Sequence, residues 1–225
     1  MAKTRTGKIA TGLAVGGFFF VLLAFTTPSW LVTDGLLEKP KFEQLGLWLV
    51  CFHDLEDPRH WYDTKFSGCW WVFLEEYYII HDLLLPGFFV AVQFFYTLSF
   101  VATLLSFFLV LGYLCASREN EHFVLLQLIV GGLLLGGAVT GTFAVYIFGA
   151  NGDGRVWMPN WEHNNMGYSY VCAVLGVIME YIAGCLYIIQ ARYFDMKKKK
   201  NYESRQGQGY DYHMEERKST SHTTI

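Results

Sequence analysis

Four long apolar runs, at about 9–27, 86–115, 123–150 and 168–191, alternate with polar segments along this chain. Each exceeds the ~18 residues needed to cross a hydrocarbon core of about 30 Å. One such run would fit a buried helix of a soluble core, but four in succession would not. The pattern predicts four transmembrane helices. Between the first two runs, Trp30-Leu31-Val32, Leu47-Trp48-Leu49-Val50-Cys51-Phe52 and Gly68-Cys69-Trp70-Trp71-Val72-Phe73 are rich in aromatic and β-branched residues and read as strands. Asp34-Gly35 is a turn signal between two of them. Beyond Ala191 the composition shifts to Lys, Glu, Ser, Gly and Tyr, so 192–225 reads as a disordered tail.

The first run, preceded by Lys3, Arg5 and Lys8, also has the outline of a signal peptide. Phe25-Thr26-Thr27-Pro28 lacks a small-x-small cleavage site, so a retained helix is the expectation. The composition, 53% hydrophobic with a net charge of -3, matters less than its distribution. Twelve Lys and Arg fall in the N-terminal segment, the second connection and the C-terminal segment, against five in the other two loops. The positive-inside rule then puts both termini in the cytoplasm and the long first loop outside. That loop holds ten acids and four bases, a net -6. An acidic loop aids solubility, and beside a narrow passage it also enriches cations. Asp63, Glu75 and Glu76 are the candidate selectivity residues.

Of five cysteines only Cys51 and Cys69 fall in outer loops, so one intramolecular pairing is possible there. Closing its 17 intervening residues would contribute ~3 kcal/mol on the chain-entropy account. Cys172 and Cys185 read as small apolar groups within the fourth helix. Cys115, at the cytoplasmic end of the second helix, is a candidate palmitoylation site and equally a plain interfacial thiol. Gly12 and Gly16, Gly132 and Gly136, and Gly137 and Gly141 are small-xxx-small pairs, read here as packing one bundle internally. Glu180 lies near mid-depth in the fourth helix, at a level with Ser99, Thr103 and Thr140, and reads as structural for want of a second intramembrane ionisable group.

Trp157, Pro159 and Trp161 mark the short second outer loop, where exposed aromatics point to headgroup anchoring or a partner. No Asn-x-Ser/Thr sequon occurs in either outer loop. Lys197, Lys198, Lys199 and Lys200 read as a topology determinant first and an anionic-lipid patch second. Thr223, Thr224 and Ile225 resemble a PDZ ligand, with a hydroxyl at the third-last position and an aliphatic last residue. His53, Asp54, Glu56, Asp57 and His60 are ligand types without metal-site spacing, and no phosphate loop, nucleophile elbow or His-Glu-x-x-His occurs. The chain does not read as an enzyme, and neither a metal nor a cofactor is expected.

Trp30, Gly46-Leu47-Trp48, Cys51 and Cys69, in that order in the first outer loop, resemble the signature of the claudin superfamily, which includes the peripheral myelin and epithelial membrane proteins. The resemblance covers about 8–191. It implies a mainly α membrane protein, a left-handed four-transmembrane-helix bundle capped by a small extracellular antiparallel β-sheet from both outer loops. It further implies a Cys51–Cys69 disulfide, with Trp30, Gly46, Leu47 and Trp48 seating the sheet on the bundle and outer leaflet. Vertebrate claudins place fewer residues between their cysteines and carry an arginine before the second helix that is absent from His81-Asp82-Leu83-Leu84-Leu85-Pro86. The longer spacing resembles the invertebrate claudins of septate junctions.

The implied function is a plasma-membrane protein of lateral cell–cell junctions that associates with other claudin-like protomers in cis and trans. It would form or regulate the paracellular barrier while its tail docks a PDZ scaffold. The alternative within the superfamily is an auxiliary subunit of an ion channel or receptor. A transporter is the weakest alternative, because Glu180 is the only acid within the four runs.

Overall fold

A computed structural model describes residues 4–38, 40–56, 65–75, 80–115, 122–152, 157–159 and 161–221, with 205–221 as backbone only. The four apolar runs form α1 (Arg5–Thr26), α3 (Gly87–Cys115), α4 (Phe123–Asn151) and the first part of α5 (Tyr168–Ser221). A one-turn helix, α2 (His81–Leu84), precedes α3. Thr4 caps α1, its hydroxyl accepting the Gly7 N–H at 3.1 Å. All four long helices are apolar enough to span a bilayer. They pack as a closed ring in which α1 meets α3 and α5, and α4 meets α3 and α5.

The strands are β1 (Leu31–Thr33), β2 (Phe42–Leu45), β3 (Leu49–Glu56), β4 (Lys65–Trp71) and β5 (Asn164–Met166). Among the described residues they form one antiparallel sheet in the order β4-β3-β2-β1-β5, so β5, from the second loop, completes a sheet built by the first. The aromatic and β-branched segments predicted as strands lie in or beside β1, β3 and β4. The sheet built from both outer loops, which the resemblance implies, is present, but residue pattern alone marks neither β2 nor β5: Phe-Glu-Gln-Leu and Asn-Asn-Met are mostly residues of low strand propensity. A bulge between Phe52 and Leu55 sets Asp54 at φ 48, where the Ser67 hydroxyl accepts the Asp54 N–H at 3.0 Å.

The segment from 192 is expected to be disordered, and among the described residues α5 runs on to Ser221. Proline is absent there, and Lys, Arg, Glu, Gln and Met extend an already nucleated helix at little cost. Trp157 was read as exposed, yet it is buried, donating its indole N–H to the Leu83 carbonyl at 2.9 Å and packing on Phe88 and Phe89. The glycine pairs divide: Gly12, Gly132 and Gly136 face open space, while Gly137 and Gly141 meet neighbouring helices.

Candidate functional site

The sheet meets the bundle where α1 ends, and Pro28 dictates the chemistry. In a continuing helix the Ala24 carbonyl would accept the N–H of residue 28, which proline lacks. The fully buried Trp30 indole N–H takes that carbonyl at 2.7 Å. Its ring lies edge-on to Tyr96 of α3 and Phe148 of α4, each at 5.0 Å, and to Tyr170 of α5 at 6.0 Å. One side chain therefore joins the α1 exit to the three other long helices.

Gly46 is fixed by proximity. A Cβ there would sit 2.5 Å from Pro28 Cα and 2.7 Å from the Thr27 carbonyl oxygen, so only glycine lets the β2–β3 turn lie on the α1 exit. Leu47 is fully buried and its carbonyl accepts from Gln93 Nε2 of α3 at 2.7 Å. Trp48 is half-buried and edge-on to Phe25 at 5.2 Å. The α5 entry is tied to the same point. Ser29 N–H donates to Ser169 Oγ at 3.2 Å, Ser169 N–H to the Ser29 carbonyl at 3.1 Å, and Gly167 N–H to the Trp30 carbonyl at 2.9 Å.

Cys51 and Cys69 stand opposite each other in the β3–β4 ladder and are disulfide-bonded. A carboxylate oxygen of Glu43 lies within 4.8 Å of both sulfurs, but sulfurs bonded to each other are not available as thiolate ligands. At the sheet's other end Asp34 accepts the Leu36 N–H at 2.9 Å and pairs with His163 at 2.8 Å, fastening the second loop to the first. These partners, Leu36 before His163, hold the Asp34 carboxyl below its ordinary pKa.

The family model described as PMP-22/EMP/MP20/Claudin tight junction matches residues 15–189. The chain belongs to that family. Comparison with curated proteins gave no match. Family membership points to a non-enzymatic membrane protein. In this claudin-family chain Trp30, Gly46, Leu47 and Trp48 come together as the seat of the sheet, and Cys51–Cys69 ties β3 to β4 within it.

Other candidates lie apart from that seat. Glu75 is exposed just beyond β4, while Asp63 and Glu76 lie outside the described residues, as do Asp57, His60 and the C-terminal Thr223, Thr224 and Ile225. His53, Asp54 and Glu56 are exposed along β3. Cys115 is exposed at the end of α3. Cys185, expected to be buried in the bundle, is instead exposed on its surface, where lipid rather than protein can cover it.

Glu180 is fully buried where the helices converge, and the Thr103 hydroxyl contacts its Oε1. Gly17 of α1 and Gly137 of α4 both lie beside its side chain, a Cβ on either reaching ordinary contact with it at 3.5 and 3.4 Å. Buried Ser99 joins Thr103 on the α3 side, whereas Thr140 bonds back to its own helix and stays apart.

Sequence reasoning missed Gln93, Ser169 and Gly167. Each reads as an ordinary helix or loop residue, and only the partner carbonyl or hydroxyl across the seat gives it a role.

Proposed function

We propose that the chain is a self-associating cell–cell junction protein that helps form or regulate the paracellular barrier of a septate or tight junction. The observation that carries this reading is the two-loop sheet, locked to one end of a family-typical bundle by Trp30, Gly46 and the Gln93–Leu47 bond. A stiff cap presents the same surface in every copy, as repeated lateral and trans contacts require. The excess of Lys and Arg in the other connections supports placing the sheet outside the cell and both termini inside. The acidic first loop favours cations, with Asp63, Glu75 and Glu76 as the groups that would set selectivity. On the cytoplasmic side Thr223, Thr224 and Ile225 would add a strand to a PDZ scaffold, and Cys115 would take a palmitoyl chain.

The test is localisation in an epithelium combined with dye permeability. Enrichment along lateral contacts, with dye leakage on depletion, is the expected outcome. A co-purifying channel with altered gating and an intact dye barrier would instead favour the auxiliary-subunit reading. In a competent layer, neutralising Asp63, Glu75 and Glu76 together lowers the Na⁺/Cl⁻ permeability ratio, and an unchanged ratio removes them as selectivity residues.

A further inference from the structure

The foot of the β3–β4 hairpin carries an exposed aromatic face. Trp70, Trp71 and Phe73 are 49%, 56% and 52% exposed, and Leu49, opposite Trp71 in the ladder, is 36% exposed. Trp71 and Phe73 rings touch edge to face at 6.0 Å and Leu49 stands opposite Trp71, so these three form one contiguous patch, while Trp70, the preceding residue of β4, pairs with Val50 on the other face. Each Å² of apolar surface left in water forgoes about 25 cal/mol, and a contiguous aromatic patch marks a surface with something to cover it.

The patch lies at the bundle-proximal end of the sheet. β3 starts beside Trp48 and runs outward, and β4 returns, with Val72 N–H donating to the Trp48 carbonyl at 2.9 Å. Gln93 of α3 holds the adjoining Leu47 carbonyl. A relay of rings continues inward from the patch: Phe73 to Trp48 at 6.3 Å, Trp48 to Phe25 at 5.2 Å, and Phe25 to Phe100 at 4.2 Å. Phe25 lies in the last turn of α1 and Phe100 within α3, both on membrane-spanning helices. The aromatic face is thus continuous with the part of the molecule that meets the bilayer.

We propose that Trp71 and Phe73, with Leu49 beside Trp71, insert into the interfacial layer of the phospholipid leaflet on the sheet side. That layer, between hydrocarbon and water, is about 5–7 Å deep. Amphipathic indoles favour it because an apolar ring and a polar N–H are both accommodated there. The sheet then has two supports, the Trp30 seat within the bundle and an aromatic foot in the leaflet, which together fix its tilt against the membrane. This holds whether the chain works at a junction or beside a channel.

The test uses the full chain in phosphatidylcholine nanodiscs, with Cys115, Cys172 and Cys185 changed to serine and the Cys51–Cys69 bond kept. Nitroxides are attached at Phe73→Cys and, as a control, at Leu36→Cys, a site 77% exposed beyond β1. The label at 73 should relax more with oxygen than with a water-soluble nickel chelate, and the label at 36 the reverse. Equal nickel access at the two sites overturns the proposal. So does spin–spin broadening at 73 that disappears on dilution with unlabelled protein, since a second copy would then cover the patch. Labelling Phe73 removes a ring under test, so a second measurement keeps it. Bilayers brominated high on the acyl chain should quench part of the tryptophan fluorescence, and the Trp71→Tyr variant should lose that part. An unchanged quenched fraction overturns the proposal.

Discussion

Pro28 creates an orphan carbonyl at Ala24, and Trp30 answers it with the one polar atom on an otherwise apolar ring. Trp30→Phe keeps a ring among Tyr96, Phe148 and Tyr170 but leaves that buried carbonyl without its donor. Such a loss costs about 1–3 kcal/mol. Thermal unfolding in detergent should show a lower midpoint for Trp30→Phe, and an unchanged midpoint would mean the indole bond adds nothing. The identities of Trp30, Gly46, Leu47 and Trp48 were legible in the sequence because such residues are out of place in a solvated loop. Their partners were not, since a carbonyl or a close backbone approach leaves no mark on residue type. Asp34 and His163 show the same limit, 129 residues apart and unremarkable singly. The folded Asp34 pKa lies below its ordinary 3.8, so its contribution is present above pH 3.8 and is lost as pH falls through the lower folded value. The protection factors of the Asp34 and Leu36 amides, corrected for intrinsic exchange, should therefore fall on acidification below about pH 4. Asp34→Asn should remove that pH dependence, and a dependence that survives it must come from another group.

At the scale of the element, spacing revealed which segments cross the membrane but not which face each turns inward. Gly132-xxx-Gly136 and Gly137-xxx-Gly141 look alike in sequence, yet they lie on different faces of α4. A Cβ on Gly141 would meet Val177 Cγ2 at 2.7 Å and Ser99 Oγ at 2.8 Å, whereas one on Gly132 meets nothing within 4 Å. Gly141→Ala should cost about 1–3 kcal/mol through overpacking, and Gly132→Ala should change monomer stability by less than about 0.5 kcal/mol. Denaturation of both variants in detergent checks the pair, and equal effects would contradict the inward assignment of Gly141. The end of α5 shows the converse. Its polar composition carries no burial signal, and helix propensity alone extends a helix already anchored in the bundle.

At the scale of the whole molecule, burial among the described residues falls into two apolar clusters with a polar level between them. One joins the sheet to the near half of the bundle through Val21, Trp30, Phe52, Phe89 and Phe148. The other, around Ala14, Val110, Leu134 and Tyr187, closes the far half. Ser99, Thr103 and Glu180 stand between them, with Gly137 and Gly141 admitting the polar groups. Tight packing transmits strain within each cluster, while the intervening level shares few apolar contacts with either. Removing the Cys51–Cys69 bond by a double change to alanine releases a loop of sequence separation 18, worth ~3 kcal/mol on the chain-entropy account. The loss should appear as faster amide exchange in β2, β3 and β4 and at the α1 exit, with Val130 to Leu134 keeping its protection. Equal loss of protection at both ends would mean that the sheet and the whole bundle open as one cooperative body. Retained protection at the far end would make the sheet and its seat a separable unit, able to rearrange against a neighbouring molecule while the far half of the bundle stays closed.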